Sequence, residues 1–288
     1  MKVLISLLAI PFKILLRIPR FIINAIRPFN QVYKKSNIYY ADYQKFMCTS
    51  GMPEYRLIYH RLNPIDKAEE YYQCDIYMLN VYNGAYSNKL KATLFHEFTH
   101  IYDDELFIKK HCVGNSDNNK RKKWVYKEIH AEQIKTLYML GCDTISDIPQ
   151  IDHNTILRGM GNKKITFHDY CIEYKNELNK IIDIMKALQN GVLKMSLKQC
   201  SQDINYILYY IGIASIYNRH CTYDIDNILD LSYIADYLGD GVKRLLDIYC
   251  NDNIDDISKG IIIESGNIRW NIIKYIVEEL KIVKVTRL

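Results

Sequence analysis

Ser87-Asn-Lys-Leu-Lys-Ala-Thr-Leu-Phe-His-Glu-Phe-Thr-His-Ile-Tyr-Asp-Asp104 contains no Gly or Pro and carries His96-Glu97-Phe98-Thr99-His100, the H-E-x-x-H pattern. Leu90, Leu94 and Ile101 form an apolar stripe at helical spacing, and Ser87 is an N-cap candidate after the turn-forming Asn83-Gly84. The stretch is therefore expected to be a helix. On a helix, His96 and His100 stand one turn apart on one face, so both imidazoles reach a single ion. Glu97 lies beside them, placed to hold and deprotonate a water on that ion. The competing reading is a polar helix face with two unrelated histidines.

Catalytic zinc commonly has three protein ligands and an open position for water. The metzincin spacing fails, because it needs Gly and His three and six residues after the second His, where Asp103 and Leu106 stand. The next strong helix is expected over Arg121 to Leu140, with Gly141 as its C′ residue. Within it Glu128 and Glu132 share a face, and His130 points to nearly the opposite side. Two carboxylates one turn apart repel on a free helix. Two roles explain the pair: Glu128 binds the metal, and Glu132 accepts a hydrogen bond from a ligand histidine. Glu132 as the ligand, two solvated surface glutamates, or Asp103 or Asp104 as an aspartate ligand are the alternatives. Asp104 is otherwise expected, with Glu132, in the layer around the ligands.

With these residues the stretch from Asp75 to Leu140 resembles the glutamate-zincin metallopeptidases, and among them the ImmA/IrrE type. That type shows Glu-x-x-Ala-Asn-x-Phe-Ala on its second helix. Here Glu128 and Ala131 match, while Glu132 replaces Asn and Ile134 replaces Phe. The resemblance implies an α+β fold with a small sheet packed on two active-site helices, bound Zn2+, and hydrolysis of a protein or peptide substrate, often a helix-turn-helix repressor. His96, His100 and Glu128 are then the metal ligands and Glu97 the general base. The second hypothesis is a non-catalytic module of the same fold that docks on a membrane or an assembly.

The rest of the 288-residue chain is long enough for one large or two modest domains. A net charge of +5 is too small to argue for nucleic acid as a partner. The eight cysteines are scattered with no C-x-x-C pair, which argues against a cysteine zinc site and for free thiols in a reducing, cytoplasmic setting. Their even number leaves export open. Residues 1–30 contain no acidic residue, and Lys2, Lys13, Arg17, Arg20 and Arg27 fall in one sector of a helical wheel opposite an apolar face. That segment suits an anionic membrane surface, with a helix packed on protein and a secretory signal as alternatives. Pro11, Pro19 and Pro28 break it into short pieces.

Three runs, Asn37 to Phe46, Tyr55 to Arg61 and Cys74 to Tyr82, read as strands. Ile65 to Tyr72 reads as a helical turn, and Lys109 to Lys123, with its Lys120-Arg-Lys-Lys123 charge run, as an exposed loop. Beyond Ile165 five helices are expected: Phe167 to Gln189, Ser196 to Arg219, Ile225 to Tyr237, Gly241 to Cys250 and Asn267 to Ile282. His153, His168 and His220 have no ligand pattern, though any of them is a candidate donor to an oxyanion. The organisation expected is thus a segment 1–30, a zincin-like core over 31–150 and an all-helical domain over 151–288.

Overall fold

The structure, a computed structural model, describes residues 32–50, 52–59, 69–71, 75–78, 87–111, 117–146, 151–160, 163–190, 197–221, 228–251 and 259–278. The basic segment 1–30, the Asn83-Gly84 turn and residues 65–68, 79–82 and 225–227 of the expected elements lie outside them.

The first described element is α1 (32–46), a helix in place of the strand expected over Asn37 to Phe46. Its β-branched and aromatic residues suggest a strand, yet Val32, Ser36, Tyr43, Phe46 and Met47 are the buried ones, and gaps of four, seven and three from Val32 to Phe46 follow the helical period. Helical period outweighs composition here. A three-stranded sheet follows: β1 (Arg56–Tyr59), β2 (Glu69–Tyr71) and β3 (Asp75–Met78), in the order β1-β3-β2. β1 runs parallel to β3 with Arg56 opposite Asp75, and the two side chains form an ion pair at 2.7 Å. β2 runs antiparallel to β3, so the helical turn expected at 65–72 is at least partly a strand.

Helix α2 (Ser87–His111) carries the His-Glu pattern and α3 (Asp117–Leu140) carries both glutamates. Residues 117–123 are helical, so the expected loop shrinks to a short connector, and Lys123 of its charge run is buried. Gly141 ends α3 as expected. With φ at +100° it lets its own N–H reach Tyr138 O and the Cys142 N–H reach Leu137 O.

The C-terminal half is helical among its described residues: α4 (Phe167–Gln189), α5 (Leu197–His220), α6 (Ser232–Leu238), α7 (Gly241–Asn251) and α8 (Lys259–Glu278). α6 starts later than periodicity suggests, because the Asp230 carboxylate accepts the Ser232 N–H at 2.9 Å and holds the chain in a turn before it. α8 starts earlier, at Lys259 rather than Asn267. The chain is thus α+β, mostly helical with one small sheet. Among the described residues no helix is long and apolar enough to cross a membrane.

Two apolar cores result. The first joins α1, Leu57, Ile76 and α2 to Ile134, Leu137 and Tyr138 of α3, and to Phe167, Ile213 and Tyr217 from beyond residue 150. The second joins Val125, Tyr126 and Ile129 of α3 to α4 through α8. α3 serves both, and α2 is wedged between α1 and α3. Phe95 and Phe98 of α2 meet Tyr43 of α1 at 5.2 and 5.6 Å, and the Tyr43 hydroxyl donates to Thr99 Oγ1 at 3.0 Å. These aromatic contacts fix the rotation of α2, so that its histidine face looks at α3.

Candidate metal centre

α2 and α3 run antiparallel, which brings the start of one histidine face against the end of one glutamate face. His96 Nε2 lies 3.7 Å from Glu128 Oε2, and His100 Nε2 lies 3.9 Å from Glu128 Oε1. One ligand atom from each of the three lies within 4.8 Å of the others. Two ligands held tetrahedrally on zinc at ordinary bond lengths stand about 3.4 Å apart. The two histidine–glutamate separations exceed that by a few tenths of an ångström, and the three ligand atoms together stay within 4.8 Å, so the group could close on one divalent cation by contracting.

Unmet hydrogen bonds point the same way. Glu128 Oε2 is buried without a hydrogen-bond partner. A carboxylate oxygen left so is costly unless a cation compensates it. His96, Glu97, His100 and Glu128 are each only 6–8% exposed, nearly sealed from bulk water. These three side chains are therefore placed to hold one metal ion, with Glu97 adjacent on α2.

The His96 ring is held from behind. Its Nδ1–H donates to Glu132 Oε2 at 3.2 Å, which leaves Nε2 as the atom facing Glu128. Glu132 in turn accepts from the Lys135 ammonium at 2.8 and 3.1 Å. Burial disfavours the Glu132 charge, but Lys135 and His96 outweigh it and take the pKa down to about 2. Burial also disfavours a charged His96. The Glu128 carboxylate facing it, the hydrogen bond to Glu132 and the nearby Glu97 outweigh that and push its pKa up to about 10. His100 goes the other way: burial first, then the charge on His96, hold it well below the usual histidine range.

One turn further along α2 from His100, Asp103 Oδ1 accepts from His130 Nδ1–H of α3 at 2.7 Å, and both side chains are fully buried. Tyr126 stacks on His130 at 5.2 Å. Asp103 is thus the buried aspartate. Asp104, expected beside the ligands, is ion-paired instead with Lys127 at 2.7 Å, and its side chain is 38% exposed. Asp103 and Asp104 follow His100 by three and four residues, so helical position alone does not separate them; their partners do, His130 for Asp103 and Lys127 for Asp104.

A third wall comes from α5. The Tyr209 ring stands edge-on to His96 at 5.6 Å. Burial and the carboxylates of Glu128, Glu132 and Glu97 raise its pKa well above that of an ordinary phenol. The approach is close because residue 212 is glycine: a Cβ there would meet Ile129 O at 2.9 Å and Glu132 Cβ at 3.0 Å. Lys135 and Tyr209 were not identifiable as site residues from the sequence. Lys135 follows Glu132 by three residues, a spacing that offered a weak signal. Tyr209 offered none beyond its place on an apolar helix.

His153, His168 and His220 stand apart from this group. His153 Nε2 contacts Asn154, His168 lies 3.8 Å from Asp169 at the start of α4, and His220 ends α5. Comparison with protein-family models, curated proteins and solved structures finds no match for this chain.

Proposed function

We propose that the protein is a zinc-dependent peptidase of the glutamate-zincin kind, acting on a peptide bond of a protein or peptide substrate. The observation that carries this reading is the convergence of His96, His100 and Glu128 from two helices, with Glu97 next to the first ligand. A His2Glu donor set suits zinc, which takes imidazole nitrogen and carboxylate oxygen readily. The bound cation supplies Lewis acidity, making a water acidic near neutral pH and polarising a carbonyl.

The chain's own residues do the rest. Glu97 takes a proton from the attacking water at a carboxylate oxygen and later gives it to the leaving amine nitrogen. Glu132 keeps the His96 ring in the tautomer that presents Nε2, and Lys135 keeps Glu132 ionised. The nearly sealed surroundings strengthen each of these charge interactions.

The test is elemental analysis of the purified full-length protein followed by cleavage of an unbiased peptide library. Stoichiometric zinc, library cleavage by the wild type and none by Glu97→Gln with zinc retained is the expected result. His96→Ala or Glu128→Ala should lose the zinc. Undiminished cleavage by Glu97→Gln removes the general base, and a protein with zinc bound but no cleavage under any condition removes the peptidase.

A further inference from the structure

Resting on that reading, we propose that Tyr209 is the second oxyanion donor: its phenol O–H donates to the substrate carbonyl oxygen as that oxygen gains negative charge. Amide hydrolysis builds charge on this oxygen in the transition state. A fixed donor aimed at it is among the largest single contributions an active site makes. α2 and α3 supply ligands and the base from two sides. The donor must come from a third side.

α5 is that side. Tyr209 stands edge-on to His96 at 5.6 Å, and its charged surroundings are Glu128, Glu132 and Glu97, which are one metal ligand, the carboxylate behind His96 and the general base. The phenol thus stands beside a metal ligand and within electrostatic reach of the general base, on a helix that carries none of the ligands. Tyr209 is also partly exposed, whereas the ligands are nearly sealed.

Two contacts fix the position of α5. Gly212, one turn beyond Tyr209, rests against α3 at Ile129 and Glu132, and Gln133 Nε2–H donates to Ser215 Oγ at 2.8 Å nearly another turn on. A donor fixed this way needs no reorganisation during reaction. Other hydroxyls are placed differently. Tyr174 and Tyr206 stack on each other at 5.1 Å, Tyr170 meets Tyr174 at a tilt at 4.9 Å, and the site carboxylate around which the three gather is Glu132. Among the histidines, His220 follows Tyr209 by eleven residues on α5, roughly 16 Å along the axis.

The experiment uses full-length protein loaded with Co2+ and titrated with acetohydroxamate, whose oxyanion mimics the developing charge, with binding read from the visible spectrum. Peptide hydrolysis by the zinc-loaded protein is measured beside it. Tyr209→Phe should hold cobalt within twofold of the wild type yet bind acetohydroxamate about tenfold more weakly. Its kcat should fall about 10²-fold or more with KM within threefold. Tyr206→Phe, which removes a hydroxyl from the same helix, should change none of these. Equal acetohydroxamate binding by Tyr209→Phe and wild type, or an equal loss in Tyr206→Phe, overturns the assignment. If the hydroxamate difference appears but the wild type cleaves no peptide, the donor stands and the peptidase falls. If the wild type takes up no cobalt, both fall.

Discussion

His96 makes contacts on both sides of its ring, and that sets how the site handles protons. In the metal-free protein its pKa of about 10, against 6.5 for an ordinary histidine, makes it an imidazolium at neutral pH. A group raised in this way stabilises the fold fully below about pH 6.5, and the contribution is lost as pH rises through about 10. A metal ion needs the same nitrogen deprotonated. Metal binding near neutral pH should therefore expel about one proton from His96, and affinity should climb as pH rises toward 10. Calorimetric titration in buffers of different ionisation enthalpy measures the proton count. A count of zero with pH-independent affinity would contradict it. His100, already held neutral, adds no proton of its own.

Lys135 acts on the same ring through Glu132. Replacing it with Met removes the charge that keeps the buried carboxylate ionised and oriented. Metal affinity should fall about ten- to hundredfold, with Lys135→Arg recovering most of it. Competition against a chromophoric chelator reads this directly, and unchanged affinity in Lys135→Met would show that Glu132 needs no help. The His96-Glu97-His100 and Glu128-Glu132 spacings were legible because one-turn neighbours share a face whatever the fold. Asp103 with His130, and Tyr209 with His96, were not. These pairs join residues on different elements, and no local pattern records which helices meet.

At the scale of elements, the same split appears. α2, α4, α5 and α7 fall close to where periodicity and punctuation put them, since each has a long run of apolar residues at helical spacing. α1 reads as a strand in the sequence because Tyr and Ile are at home in strands. Only the burial of Tyr43 and Phe46 against Phe95 shows which period the chain uses. The α3–α5 crossing was equally hidden, for it depends on one missing methyl group. At Gly212→Ala the new Cβ meets a backbone carbonyl at 2.9 Å, and backbone yields poorly. The helices must part by a few tenths of an ångström, at a cost of about 1–3 kcal/mol. Chemical denaturation measures this loss. Tyr209 would retreat from the site in the same movement, so catalytic turnover should fall further than metal affinity. A variant as stable as the wild type would mean that α5 has room that the crossing does not show.

For the molecule as a whole, α3 is the shared beam. Its Ile134, Leu137 and Tyr138 face the core under α2, and its Val125, Tyr126 and Ile129 face the core built by α4 through α8. The ligand Glu128 sits between these two sets, next to Ile129. A cation that pins Glu128 to the histidines of α2 thus ties down a helix on which both cores depend. Binding to the native state alone stabilises it by about 4 kcal/mol at a thousandfold excess over Kd. Because α3 is common to both cores, that gain should reach the C-terminal helices as well. Thermal unfolding should show one transition that rises with zinc and falls with a chelator. Hydrogen exchange should slow on zinc binding in α5 and α8 as well as in α2. Were α7 and α8 to melt separately, at a temperature indifferent to zinc, the two cores would be energetically independent despite sharing a helix. The metal centre would then report on the first core only.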